Sequence, residues 1–233
     1  VKLVRYEDWA RPGLPHPGTE GMFLPVARVY IHHTVSPQPI NGDAEVMLLR
    51  SIDAAHRAKG WAGIGYSFIV GPSGTVYEGR GQRVGAHTEG KNYTSFGVAF
   101  LGTFLVSIPQ STAMVAAAEL LAHLQAAGVL QAGYKVGGHR DVKATACPGD
   151  GLYRQLPELA RLATSIIPPA PPTNGDPVPD PVVPAPMPDY PSNAAPVGIA
   201  GTGSPNGYWI LAADGGVFSF GDAQYKGRVH VTV

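Results

Sequence analysis

Apolar and polar side chains alternate as in a strand along Val26-Ala27-Arg28-Val29-Tyr30-Ile31-His32-His33-Thr34. This period puts Val29, Ile31 and His33 on one face and Arg28, Tyr30 and His32 on the other. The two histidines therefore point in opposite directions. His33 goes with the apolar face toward a core, which leaves His32 as the better candidate for an open groove. Before this strand, residues 1–25 are rich in Pro and Gly without a sustained period and predict an irregular arm packed on the domain. After it, Asn41-Gly42-Asp43 supplies capping residues. Val46, Leu49, Ile52 and His56 then carry a helix to about Lys59, with Gly60 stopping it. Trp61 to Val70 reads as a second strand, Gly71 to Gly74 as a turn and Thr75 to Glu78 as the returning strand of a hairpin.

Gly79 to Asn92 is a glycine-rich loop carrying His87, and Phe96 to Leu101 a further strand. Ser111 or Thr112 caps a helix with Val115, Ala118, Leu121 and Leu124 as its inner stripe and Gly128 at its end. A short strand near Lys135-Val136 leads to Gly138-His139, and Leu152 to Leu162 forms a last helix, interrupted or started at Pro157. Strands and helices interleave, so the pattern predicts an α/β fold with a central mixed sheet flanked by helices.

Composition divides the chain. Twelve of the 23 prolines fall between Pro168 and Pro196. Residues 1–162 therefore read as one domain and 163–196 as an extended, semi-rigid Pro-rich linker. Residues 197–233 hold two aromatic-rich strands around Asp214-Gly215, a hairpin too small to stand alone that reads as one unit cut from an array. The formal net charge is zero, which argues against a nucleic-acid partner held by phosphate attraction. No run is long and apolar enough for a membrane span, and no basic or apolar leader opens at Val1. One cysteine makes no intramolecular disulfide, so cysteine usage neither identifies nor excludes an oxidising compartment.

The densest chemistry lies in Gly138-His139-Arg140-Asp141-Val142-Lys143-Ala144-Thr145-Ala146-Cys147-Pro148-Gly149. Imidazole nitrogen and thiolate both suit zinc, but a catalytic zinc needs a third protein ligand and an open position for water. Tyr66 shares a face with Phe68 and Val70, which fits simple core packing. Glu78 is the nearest thing to a carboxylate base, yet its strand position beside Arg80 fits a structural ion pair better. His16, His56, His123 and His230 read as structural or solvent-facing.

Several blocks, taken in order, resemble peptidoglycan recognition proteins and the related phage lysozyme-type amidases. They are His32-His33-Thr34, Gly63 to Val70, Val76 to Gly81, Val84-Gly85-Ala86-His87, Ser95 to Val98, Gly138 to Asp141 and Thr145 to Gly149. The resemblance runs from about Val4 to Leu162. It implies a mixed sheet with a zinc-containing groove, and His32, His139 and Cys147 as the zinc ligands. Tyr66 matches the tyrosine that touches the zinc-bound water, and Thr145 stands where recognition proteins carry threonine and the phage enzymes carry lysine. His87 and Asn92 lie in the loop that would hold the muramyl peptide.

The resemblance further implies a zinc-dependent N-acetylmuramoyl-L-alanine amidase acting on peptidoglycan, with a non-catalytic peptidoglycan-binding module as the alternative. Members that only bind typically lack the cysteine. Such a substrate implies a secreted or wall-associated protein. The terminal unit resembles aromatic Gly/Asp-rich repeats found after linkers in actinobacterial wall proteins, where surface attachment would be its role. Stem-peptide preference and oligomeric state are left open.

Overall fold

Residues 1–39 and 41–166 are described by the computed structural model, with the backbone of three further strands at 196–201, 207–212 and 217–221. The N-terminal arm is more ordered than its Pro and Gly content predicts. Lys2–Val4 is strand β1 and Tyr6–Trp9 the one-turn helix α1. Tyr6 and Trp9 are almost wholly buried, and the Trp9 indole N–H donates to the Glu78 carbonyl at 2.7 Å. Three strand residues and one helical turn are too short to show a period, which is why the pattern misses them.

Strand β2 is Val26–His33, as its alternation predicts. Helix α2, Gly42–Ala58, starts at Asn41, whose side-chain oxygen accepts from the Ala44 N–H at 2.9 Å. The buried positions at the centre of its inner face are Glu45, Leu49 and Asp53. Glu45 accepts from the Ser73 N–H and from the Ser73 and Tyr77 hydroxyls, each at 2.8 Å. Asp53 accepts from Arg57 at 2.8 Å and from the Ile64 N–H at 2.7 Å. A count of apolar residues passes over such positions, because burial of a carboxylate is tolerated only where partners are supplied from elsewhere in the chain.

The second strand is shorter than expected: β3 is only Phe68–Val70. Upstream of it the chain crosses close to the glycine-rich loop, and a Cβ at Gly65 would lie 2.5 Å from the Ala86 carbonyl oxygen. Strand β4, Thr75–Glu78, completes the hairpin. It is followed by β5, Ser95–Phe100, and α3, Ser111–Ala126. Neither Ser111 nor Thr112 caps α3. Gln110 occupies the cap position and the Thr112 hydroxyl donates to the Pro72 carbonyl. Val115 is 45% exposed and does not belong to the inner stripe, which runs instead through Ala113, Ala117, Leu120, Leu121 and Leu124.

Strand β6 spans Leu130–Gly138, much longer than the dipeptide its sequence suggests. The last predicted helix is two pieces, α4 (Asp150–Tyr153) and α5 (Leu156–Ile166), with Pro157 in the first turn of α5. Helix α5 continues four residues past Leu162, and Ala163 is fully buried, so 163–166 belong to this domain and not to a linker. The Pro-rich segment beyond 166 lies outside the described residues. The C-terminal strands β7 (Pro196–Gly201), β8 (Gly207–Ala212) and β9 (Val217–Gly221) pair as an antiparallel sheet of three, one strand more than a hairpin.

The main sheet has the order β1-β4-β3-β5-β2-β6, and only β3 with β4 is antiparallel. It is the mixed sheet the interleaved pattern predicts. One face, with Val29, Ile31, Phe96, Val98 and Phe100, packs on α3 and α5. On the other, Ile69, Tyr77, Ala99 and Leu101 pack with Leu49 of α2 and with Tyr6 and Trp9. Tyr30 and His32 belong to neither apolar cluster. They leave a stretch of the second face to be lined by polar groups.

The orientation of α3 has a direct consequence. Leu121→Ala should cost about 2–5 kcal/mol of stability, and Val115→Ala less than about 0.5 kcal/mol. Urea unfolding of the two variants checks this, and equal losses would mean that the helix is rotated.

Candidate metal centre

Parallel pairing of β2 and β6 sets Ile31 opposite Gly138. The residue that follows each of them is a histidine. His139 opens a single 3-10 turn, His139–Asp141, and its ring centroid lies 4.6 Å from that of His32. Cys147 comes from the loop before α4, with Sγ 3.7 Å from His32 Nδ1. One ligand atom from each of His32, His139 and Cys147 lies within 4.8 Å of the others.

The Cys147 loop is held by the two residues after His139, whose part sequence reasoning does not assign. Arg140 donates through its backbone to the Cys147 carbonyl at 3.0 Å and through its guanidinium to the Ala146 carbonyl at 2.6 Å. It also pairs with Asp150 and stacks on the Tyr153 ring. Asp141 accepts from the Gly138 N–H at 2.9 Å and from the Tyr153 hydroxyl at 2.7 Å, tying the end of β6 to α4. Thr145 is exposed, and its hydroxyl oxygen accepts from the Cys147 N–H at 3.2 Å.

The glycine-rich loop brings in two more groups. His87 packs edge-on to His32 with centroids 5.3 Å apart. Gly97 of β5 makes room for it, since a Cβ there would lie 2.2 Å from the His87 ring. Asn92 Oδ1 accepts from the backbone N–H groups of His87 and Thr88 at 3.0 and 2.9 Å, so this oxygen shapes the loop. His87 Nε2 is buried and has no partner among the described residues. Tyr66 sits 5.5 Å from His32, ring centroid to centroid, and on its other side faces His56 at 5.8 Å. On the same strand face as His32, Arg28 and Tyr30 line a pocket of about 430 Å³ together with Lys91, Ser95, Gly137 and Asp141.

Glu78 does not pair with Arg80. It bridges to Arg5 at 3.5 Å and accepts from the Tyr6 N–H at 3.4 Å, whereas Arg80 donates to the Ile64 and Val84 carbonyls. His16 packs on Tyr6, His123 is exposed and His230 lies outside the described residues.

Burial keeps this cluster neutral. It lowers His32 well below the usual histidine value, with the neighbouring imidazoles of His87, His139 and His33 adding to the effect. Burial likewise lowers His139, and it pushes the Cys147 thiol up to about 11. Two neutral imidazoles and a thiol without a carboxylate suit zinc, whose charge would draw off the thiol proton. His139 Nε2, buried without a partner among the described residues, also fits a site completed by a cation. Three protein donors leave a fourth position for water.

Residues 22–150 match the family described as N-acetylmuramoyl-L-alanine amidase. The chain belongs to that family. A pig N-acetylmuramoyl-L-alanine amidase is 41% identical over 150 residues, 62% of this chain and 25% of its own length. The chain thus spans about a quarter of the length of that mammalian relative. A peptidoglycan-recognition protein SC2 of Drosophila simulans is 35% identical over 67% of this chain and 85% of its own. Among solved structures, the PGRP-SA of Apis mellifera superimposes with a TM-score of 0.64 at 31% identity, covering 67% of this chain and 94% of that one. Peptidoglycan recognition protein LE, solved with tracheal cytotoxin, a monomeric diaminopimelic acid-type peptidoglycan, gives 0.63 at 32%, covering 67% and 92%. The family thus includes relatives named as amidases and relatives named for recognition.

His56, behind Tyr66, supplies a test of the wall of this site. Burial, with Lys59 nearby, pushes its imidazole down to about 4, and its Nδ1 accepts from the Gly65 N–H at 3.2 Å. A folded value below the unfolded one means stability that is present above about pH 6.5 and lost as pH falls toward 4. Partial exposure screens the effect, so between pH 7 and 5 the wild type should lose roughly 1 kcal/mol more than His56→Gln. Urea unfolding at both pH values measures the difference, and parallel profiles would place His56 in water.

Proposed function

We propose that the N-terminal domain is a zinc-dependent N-acetylmuramoyl-L-alanine amidase, cleaving the amide between the lactyl group of N-acetylmuramic acid and the L-alanine of the stem peptide. The observation that carries this reading is Cys147 beside His32 and His139, with Tyr66 facing the same cluster. A module that only binds peptidoglycan has no need of a thiol donor at this place.

His32, His139 and Cys147 would hold the metal. Zinc, when bound, supplies a Lewis acid and a water acidified toward neutrality. Burial, with Cys147 nearby, raises the Tyr66 phenol above its usual value, so it stays protonated and acts as a hydrogen-bond donor to the carbonyl oxygen as that atom gains charge. The exposed Thr145 hydroxyl, beside Cys147, is placed to meet the same substrate from the solvent side. His87 and Asn92 border the stem peptide, which runs into the pocket lined by Arg28, Tyr30 and Lys91. The substrate implies a secreted or wall-associated protein, and the C-terminal strands are read as a wall-attachment unit.

Purified peptidoglycan incubated with the full chain should release newly exposed N-terminal L-alanine. A chelator should abolish the release, zinc should restore it, and Cys147→Ala should lack it. Binding to several wall types without release, zinc being present, would sink the enzyme and leave a recognition module. Deleting residues 197–233 should weaken wall binding in a pull-down with insoluble peptidoglycan, and unchanged binding would count against attachment.

A further inference from the structure

We infer that Thr88 is a positioning residue which, through a hydroxyl shared between two imidazoles, holds Nε2 of His32 so that Nδ1 is the nitrogen facing the metal. Thr88 is 1% exposed. Its Oγ1 lies 3.3 Å from His32 Nε2 and 3.0 Å from His87 Nδ1. Asn92 Oδ1 clamps the backbone of both loop residues, so the turn that carries the hydroxyl is held beside the two rings. His32 meets Cys147 with the opposite nitrogen, Nδ1.

A hydroxyl has one proton to give and lone pairs to accept with. The chain of three groups therefore runs in one of two directions. In one, His32 Nε2–H donates to Thr88 and the Thr88 hydroxyl donates to His87 Nδ1. His32 Nδ1 then carries a lone pair facing Cys147, and the His87 proton sits on Nε2, the nitrogen with no partner among the described residues. In the other direction His87 Nδ1–H donates to Thr88, Thr88 donates to His32 Nε2, and the His32 proton lies on Nδ1, where it blocks the metal. The first direction is the metal-competent one, and it couples the tautomer of His87 to that of His32 although the two rings share no hydrogen bond. Metal-binding histidines are commonly oriented in this way by a partner on the other nitrogen, and loss of that partner typically weakens affinity about 10- to 100-fold.

The inference rests on the reading of His32, His139 and Cys147 as a zinc site. Zinc affinity of the full chain, wild type, Thr88→Val and Thr88→Ser, is measured by competition with a chromophoric chelator, with near-ultraviolet circular dichroism as the check on folding. Thr88→Val, which keeps the shape and removes the hydroxyl, should bind zinc about 10- to 100-fold more weakly, with Thr88→Ser close to wild type. In the zinc-loaded wild type, nitrogen-15 NMR should show the His87 proton on Nε2. Equal affinities of wild type and a folded Thr88→Val, or a His87 proton on Nδ1, would overturn the role of Thr88 while leaving the zinc site standing. A folded wild type without zinc affinity would instead overturn the metal reading, and the inference with it. If Thr88→Val does not fold, the His87 tautomer and the Thr88→Ser affinity decide.

Discussion

Everything at the candidate centre depends on the parallel register that β2 and β6 hold from Arg28 to Ile31, after the irregularity between Val26 and Arg28. With Ile31 opposite Gly138, the residues that follow, His32 and His139, leave adjacent strands at the same level and meet ring to ring. Side chains alternate between the faces of a sheet, so a slip of one residue would carry His32 to the side of α3 and α5 and bring His33 to the groove. The apolar side chains on the first face, Val29, Ile31, Phe96, Val98 and Phe100, make such a slip costly. The core thus fixes the chemistry of a face it does not touch.

On that second face, the buried carboxylates have partners supplied by the chain. Glu45 binds the β3–β4 turn and Tyr77, and Asp53 binds Arg57 and the Ile64 N–H. Both carboxylates fasten α2 to the sheet, and Asp53 does so at a segment that walls the site, since Ile64 leads into Tyr66. Around the cysteine, Arg140 and Asp141 do the corresponding work for the loop between β6 and α4. Several of these interactions would be strongly destabilising to break on one side, because a buried charge would lose its partner.

How much of this was legible in the sequence depends on the length of the signal. Eight alternating residues were enough to separate His32 from His33, and Asn41 was enough to start α2. A one-turn helix at Tyr6–Trp9 left no period to read. In α3 nearly every side is packed, by the sheet and by α5, so choosing a single stripe wrongly included Val115. The hold of Arg140 on the Cys147 loop, the pairing of Glu78 with Arg5 and the position of Thr88 between two imidazoles are tertiary facts. Charge alone suggested Arg80 for Glu78, and backbone geometry chose otherwise. For Thr88 the one local hint was Asn92 four residues on, a spacing that suits a side-chain clamp on a turn.

Gly97 carries a consequence of a different kind. It stands opposite Tyr30 in the middle of the sheet, and its missing side chain is the bed on which the His87 ring lies. The depth of the groove is therefore set by an atom that is not there. A single methyl group at this position would act as a wedge under His87, lifting the loop and drawing Thr88 away from His32 without altering any residue that could touch metal or substrate.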